Sequence, residues 1–440
     1  MKKVTIVGSG IAAIAAAIEA QAQGAHVSLV RGHPGATALS SGAWDVAGFL
    51  TRYPALTWQE YPSQGESLQE LIRRHPHHPY AILSQNPACR HLPSFLEQTI
   101  ERLSSQLDLK LRGSLSKNIF IFNPLGSVKA TAYVPLSHLA GDLLAMQEAR
   151  LLIVGFRGLP YFFSQQIAKI LNALRTRQKI NHLRDVLAVT IDLDGLPQTL
   201  SPIDLAGRLD SEECMETLCH HLFQTAERHR ATHIALPPVI GIRKTDRIMS
   251  RLKEATGLAW FETASLPPSL PGLRLQKAMD DFVEKNSSRW TVLEGHAVGA
   301  TSKNGRIESL HIQHKDKEEK IPVDRLLLAT GRYLGGGIVK EKSFQEPILD
   351  LPIFVEGRQV REVFVGKVTS DKFLGDHPLF AAGVQMNEKL QPLDDHQRPL
   401  YENVWVAGSL IGGYQGATQH CGMGVAVATG TLAGRMASLL

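Results

Sequence analysis

Val4-Thr5-Ile6-Val7-Gly8-Ser9-Gly10-Ile11-Ala12-Ala13 opens a strand–turn–helix unit. The first four residues form a short apolar β run without alternation, as a fully buried parallel strand would. An Ala/Ile-rich helix follows to about Gln23, and a second strand, His26 to Val30, comes directly after it. Glycine at 8 and 10 with Ala13 is the G-x-G-x-x-A spacing of a dinucleotide-binding turn, in the strand-before, helix-after setting that the spacing requires. Gly8 permits the tight turn, Gly10 lets a pyrophosphate approach the backbone, and Ala13 keeps the helix close to the strand. Ser9 lies between them, and the helix N-terminus offers free N–H groups and a partial positive charge to phosphates. The acid that usually holds the adenosine ribose at the end of the second strand is missing. Arg31 stands there, either as a phosphate ligand or as a solvated strand-end arginine.

Composition frames this unit. The 440 residues suggest two to three domains, and the 37 glycines are bunched without a tandem period. Net charge is only +5, too slight for a nucleic-acid surface, and no nucleic-acid-binding signature is present. Four scattered cysteines fit a reducing compartment, and no apolar run is long enough to span a bilayer. Lys2, Lys3 and the apolar stretch after them imitate a signal peptide, but glycines interrupt the stretch and a strand follows at once. A cytoplasmic chain is therefore expected.

Three later stretches point to flavin. Thr37 to Asp45 is a run of small and hydroxyl residues in which Ser40, Ser41 and Gly42 leave room for an isoalloxazine ring. No histidine lies between Gly35 and Gly42, so the flavin is expected to be non-covalent. Trp290 to Leu293 and Arg306 to Gln313 read as strands around a Lys303-Asn304-Gly305 turn. A charged hairpin tip, Lys315 to Lys320, leads to a strand ending in Ala329-Thr330-Gly331. The last strand ends at Gly408-Ser409, where many FAD proteins carry an aspartate, and Gly422 and Gly424 open a small-residue helix to about Leu439. The expected fold is α/β: a Rossmann-like flavin-binding domain of the glutathione reductase or fumarate reductase type, with an inserted α+β cap. Residues 1–48, 270–340 and 396–440 are expected to form the flavin domain, and 49–269 with 341–395 the cap or substrate domain.

Beyond these motifs the chain resembles the B-type flavoprotein subunit family of anaerobic glycerol-3-phosphate dehydrogenase. The likeness is carried by Ser40-Ser41-Gly42 with Asp45, by Asn123-Pro124-Leu125-Gly126-Ser127 with Thr131, and by Leu152 to Leu159. It continues in Ala235 to Gly241, Leu266 to Leu275, Gly335-Gly336-Gly337-Ile338, Glu346-Pro347 and Gly408 to Gly424. The resemblance implies oxidation of sn-glycerol 3-phosphate, a small phosphorylated substrate, to dihydroxyacetone phosphate. It implies FMN or FAD as cofactor, a companion catalytic subunit, an iron–sulfur subunit, and contact with the membrane and its quinone only through a partner. Two alternatives stand beside it: a free-standing FAD oxidoreductase of the fumarate reductase type, and a non-catalytic electron-transfer or scaffold subunit.

Alcohol oxidation needs a base and a cation for the phosphate. His420, in the C-terminal glycine loop, is the candidate base, and Arg332 and Arg157 are candidate anion-binding groups. No metal site is expected. Cys214 and Cys219 lie five apart on a helix and point away from each other, and His75 to Pro79 reads as a proline-broken surface loop. Cys421 beside His420 reads as a packed small residue, with a redox thiol as the alternative.

Overall fold

The computed structural model describes residues 2–48, 62–180, 182–192, 199–315, 317–341, 343–372, 375 and 377–439. Its central layer is a parallel sheet of five strands: β1 (Lys3–Val7), β2 (His26–Arg31), β3 (Thr291–Glu294), β4 (Arg325–Leu328) and β5 (Val404–Val406). They pair in the order β3-β2-β1-β4-β5, all parallel. Val4, Ile6, Leu326, Leu327, Leu328 and Val404 are fully buried, which is why these runs show no polar alternation. This is the doubly wound order, with its topological switch between β1 and β4, and ligands sit outside the carboxyl ends of the strands at that switch.

Two small-residue helices cover the sheet, α1 (Ile11–Ala22) and a C-terminal helix (Gly422–Leu439). Their backbones nearly touch: a Cβ on Gly430 would stand 2.3 Å from the carbonyl oxygen of Ala12, and one on Gly434 2.3 Å from that of Ala16. Alanine and glycine here set the distance between helices rather than a ligand site.

The structure revises the reading around Trp290. Thr291–Glu294 does not pair with Arg306–Gln313; it is the edge strand of the parallel sheet, in register with β2. The antiparallel meander begins afterwards, at His296–Lys303, and continues through Arg306–His314 and Lys317–Pro322. Asp316, within the expected hairpin tip, lies outside the described residues.

The inserted segment carries a second core. Ala259–Glu262, His233–Leu236, Ala149–Phe156 and Leu183–Ile191 pair side by side, all parallel. Beside this parallel sheet the cap carries two antiparallel pairs, Leu111–Gly113 with Tyr133–Pro135 and Ile119–Phe122 with Val128–Thr131. Core packing also draws its border differently from the expected 49–269 and 341–395. Helices Gln64–Arg74 and Leu92–Gln106 bury Leu68, Leu71, Leu96 and Ile100 in the nucleotide layer's core, as do Phe344, Ile353 and Val384. The cap core proper spans Phe120 to Phe261. The expected junction at residues 48 and 49 borders residues 49–61, which lie outside the described residues.

Candidate functional site

A cavity of about 470 Å3 opens at the carboxyl ends of the central strands. Gly8, Ser9 and Gly10 line it from the first turn, Ala329, Thr330 and Gly331 from the end of β4, and Gly408 and Ser409 from the end of β5. The turn is tight for a stated reason. Gly8 has φ of +146°, and a Cβ there would lie 2.4 Å from the Ala329 carbonyl oxygen. Ala13, fully buried, packs beneath it, its Cβ 3.3 Å from the same point. Gly10 is the N-cap of α1 and supplies no side-chain cap, and the first turn carries no acid. The helix therefore presents uncapped positive dipole to the cavity, as a diphosphate requires. Thr37 Oγ1 accepts from the Ile11 amide at 3.1 Å and closes one side of the turn.

This cavity fits a flavin dinucleotide on two further counts. Nine of its lining residues are glycine, giving bare backbone on several sides. Thr330 Oγ1, in the same lining, is a buried hydroxyl with no hydrogen-bond partner among the described residues. It is a polar group in an otherwise apolar stretch of this wall, and nine other buried side-chain atoms among the described residues share its unpaired state.

Other expected site residues lie elsewhere. Ser40, Ser41 and Gly42 do not line the cavity but are pinned to the cap side. Ser265 N donates to Ser41 O at 2.9 Å, Ser269 Oγ donates to Ser40 O, and Gly42, at φ +93°, sits against His138. Gly422 and Gly424 are also outside the lining. Gly424 N donates to Asp45 O at 3.0 Å, and a Cβ on Gly424 would meet the Tyr80 hydroxyl at 2.2 Å. The two expected ring-side loops therefore meet each other, 40–48 against 419–424, with Gly48 N donating to His420 O at 3.1 Å. Gly48 and Gly424 accommodate this contact: a Cβ on Gly48 would stand 2.2 Å from His420 Cβ, and one on Gly424 2.9 Å from Val46 Cα.

Arg31 is not a phosphate ligand in this structure. Its guanidinium binds Asp280 and lies 3.7 Å from Glu294, turned away from the cavity. Arg332 is likewise committed. It donates to the carbonyl oxygens of Ser409 at 3.1 Å and Ile411 at 2.8 Å, also to Phe380, and stacks over Tyr414 at 5.1 Å. Burial lowers its pKa. These bonds make Arg332 a clamp for the loop after β5. Arg157 pairs with Asp192 at 2.7 Å on the exposed cap surface.

His420 has a positive φ of 45° and packs against Gly48. Burial pushes its imidazole pKa down, the Asp45 carboxylate opposes this, and Lys129 adds to it. Asp45 and Lys129 form an ion pair at 2.6 Å that joins the 40–48 loop to the cap, and one Asp45 oxygen is buried without a hydrogen-bond partner among the described residues. Sequence reading singled out His420 but passed over Lys129, which no motif marks. Cys421 is fully buried, 3.7 Å from His78 Nε2, and burial drives its thiol pKa up, so it is a packed residue and not a poised thiolate.

A buried carboxyl supports the cavity's outer wall. Glu346 is 1% exposed and accepts from the amides of Ile348 at 3.1 Å and Leu349 at 2.7 Å; Pro347 and Ile348 line the cavity. Burial outweighs these bonds and pushes its pKa up to about 7. Folding therefore favours the protonated form. That stabilisation is complete below the unfolded value of 4.5 and is lost as pH rises through about 7. The loss amounts to about 3 kcal/mol. Urea unfolding at pH 5 and pH 8 should show this fall in the native chain and a flatter profile in Glu346→Gln; an equal slope in both would exclude Glu346 as its source.

Among the described residues, no helix is long and apolar enough to cross a membrane, and no cluster of three or more His, Cys, Asp or Glu is placed to hold a metal ion.

Comparison with known proteins agrees with this geometry. Similar over 97% of this chain are proteins named as the B-type subunit of anaerobic glycerol-3-phosphate dehydrogenase. That of Actinobacillus pleuropneumoniae is 29% identical with 96% of its length covered, and that of Vibrio cholerae 26% with 94%. Among solved structures, a flavocytochrome c3 fumarate reductase aligns over 99% of this chain and 78% of its own, at 10% identity and a TM-score of 0.43. The family described as FAD binding domain matches residues 3–425. Spanning the turn, the cavity and the cap alike, that match places the chain in the FAD binding domain family, as an FAD-binding flavoprotein of the oxidoreductase type.

Proposed function

We propose that the chain is the flavoprotein subunit of an anaerobic glycerol-3-phosphate dehydrogenase complex. It takes part in oxidising sn-glycerol 3-phosphate to dihydroxyacetone phosphate, and electrons leave through a companion catalytic subunit and an iron–sulfur subunit toward quinone. The observation that carries this reading is whole-length likeness: relatives of that name match 97% of this chain, cap included, with 94–96% of their own length covered. A chain sharing only the nucleotide fold would lose that match across the cap.

When bound, the flavin supplies an acceptor for the hydride of a secondary alcohol. The residues of this chain supply the rest. Gly8, Gly10 and the amides of α1 hold the diphosphate, and Thr330 and Ser409 offer hydroxyls along the cavity. His420, its imidazole pKa lowered by burial, remains the candidate base, and it lies at the contact of the 40–48 and 419–424 loops, outside the cavity lining.

A second reading, a flavin-holding electron-transfer subunit whose partner oxidises the substrate, draws on one observation: Arg332 and Arg157 are both already engaged. Anaerobic addition of sn-glycerol 3-phosphate to the purified yellow chain separates the two. Bleaching by the chain alone, and none with glycerol, is the expected result. Bleaching only after the partner subunits are added assigns the oxidation to a partner. A colourless chain that takes up no added FAD, or a flavin that stays oxidised under both conditions, overturns the proposal.

A further inference from the structure

The cavity meets a doubly charged dinucleotide without a fixed cation: among the described residues, its lining contains no Lys, Arg, Asp or Glu. Two imidazoles occupy its far end instead. His33 comes two residues after β2 and His296 two residues after β3. The strands pair with Arg31 opposite Glu294, so carrying each two residues further brings the two histidines together. Their ring centroids are 4.4 Å apart with planes tilted by 39°, and both line the cavity. Room for this arrangement comes from Gly32. A Cβ there would stand 2.5 Å from the His296 ring, so any larger residue would displace it.

In a sheet of this order, the carboxyl ends of β2 and its outer neighbour receive the adenosine half of a dinucleotide. The acid that ordinarily grips the ribose hydroxyls there is absent. Arg31, its replacement, spends its guanidinium on Asp280 and Glu294 and leaves the lining. Recognition by a carboxylate has thus been exchanged for a pair of imidazoles packed on each other, exposed on bare glycine backbone and offering its outer face to a base. Purine bases stack on such faces, and the gain is independent of ribose hydroxyl contacts.

We propose that the His33–His296 pair holds the adenine of FAD and is the determinant of nucleotide length in this site. FMN carries the same ring and a phosphate but ends before the adenosine, so it gains nothing from the pair. This assignment rests on the reading of the chain as a flavoprotein.

Fluorescence titration of the flavin-depleted full chain with FAD and with FMN tests it. FAD should bind the native chain more tightly than FMN. The double variant His33→Ala/His296→Ala should weaken FAD about tenfold and change FMN by less than about twofold. His33→Phe/His296→Phe, which keeps two flat faces, should retain FAD affinity. Unfolding midpoints of the flavin-free variants, expected to match the native chain, confirm that a fold is being compared. Unchanged FAD affinity in the alanine variant, equal weakening of both flavins, or failure of phenylalanine to preserve FAD binding overturns the assignment. A native chain that binds neither flavin overturns the flavoprotein reading and this assignment with it; loss of FAD preference in the variant alone leaves that reading intact.

Discussion

Arg274→Met is expected to destabilise the chain by about 3–5 kcal/mol, because it strands a carboxylate in the junction between the two cores. Glu262 ends a cap strand with its side chain 0% exposed, while Arg274 lies on the helix Leu270–Lys285 that enters the nucleotide layer. The guanidinium donates to Glu262 Oε2 at 2.6 Å and Oε1 at 3.0 Å, and to the carbonyl oxygens of Gly241 and Ile240 at 2.9 Å each. Methionine fills similar volume but satisfies none of these acceptors, and only the Ile240 amide, at 2.8 Å, would still serve the carboxylate by a hydrogen bond shown here. The pH dependence has a definite sign. Burial alone would push the Glu262 carboxyl up, but the charge and hydrogen bonds of Arg274, with His138 and the Ile240 amide, outweigh it and hold the pKa below 4.5. The native pair therefore stabilises above pH 4.5 and loses that contribution as pH falls through the folded value. In Arg274→Met the carboxyl takes up a proton readily, so the deficit should be largest near neutrality and shrink in acid. Adding Glu262→Leu should recover more than half of the loss, since removing both charges costs far less than removing one. Urea unfolding of the native, single and double variants at neutral and acid pH measures all three. A single-variant loss below about 1 kcal/mol, or a double variant less stable than the single, would contradict the buried-pair account.

What could be read in advance was local. Val4 to Ala13 fixed the turn, because strand burial, glycine spacing and helix composition are all decided within a few residues and agree with one another. Thr330 and Ser409 were legible as cavity residues because each follows a short, fully buried strand. Long-range partners decided the rest. Nothing near Arg31 announces that Asp280, 249 residues later, will take its guanidinium. Arg332 looked available because backbone carbonyls leave no mark in a sequence, and Phe380 and the loop from Ser409 to Tyr414 had to converge on it before its donors were spent. Gly422 and Gly424 were read as opening a helix in a stretch that points to flavin, but at Gly424 close approach to Asp45, Tyr80 and Val46 requires the same residue type. Glycine reports a near neighbour without saying whether that neighbour is ligand or protein. His33 failed in the opposite direction. No motif marks it, and only the placement of β3 beside β2 brings His296 to it, with both lining the cavity.

Gly8→Ala should separate folding from cofactor binding when set beside Gly10→Ala, although the two positions are two residues apart and line the same cavity. At Gly8 the backbone has φ of +146°, which side chains rarely adopt, and an added Cβ would meet the Ala329 oxygen at 2.4 Å and its carbon at 2.9 Å. That neighbour cannot retreat. The Ala329 amide donates to Val7 O at 2.8 Å, and the Gly8 amide donates to Val30 O at 2.9 Å, so the methyl would press on the hydrogen-bonded seam of β2, β1 and β4. Backbone strain of about 1–3 kcal/mol and overpacking of about 1–3 kcal/mol act together here. Gly10, by contrast, has an ordinary φ of −90°, and its nearest neighbour for a Cβ is the Thr37 hydroxyl at 3.2 Å, a side chain able to turn. Its methyl would project where the backbone must approach a diphosphate, so FAD content should fall while the unfolding midpoint of the flavin-free chain moves by less than about 1 kcal/mol. Gly8→Ala should instead lower the flavin-free midpoint by about 2–6 kcal/mol, with loss of FAD as a consequence. Measuring unfolding without flavin and FAD occupancy after reconstitution distinguishes the two. If Gly8→Ala lost FAD but unfolded like the native chain, the glycine would serve the ligand rather than the crossing of β1 and β4. If Gly10→Ala kept full occupancy, the first turn would not be where the phosphates lie.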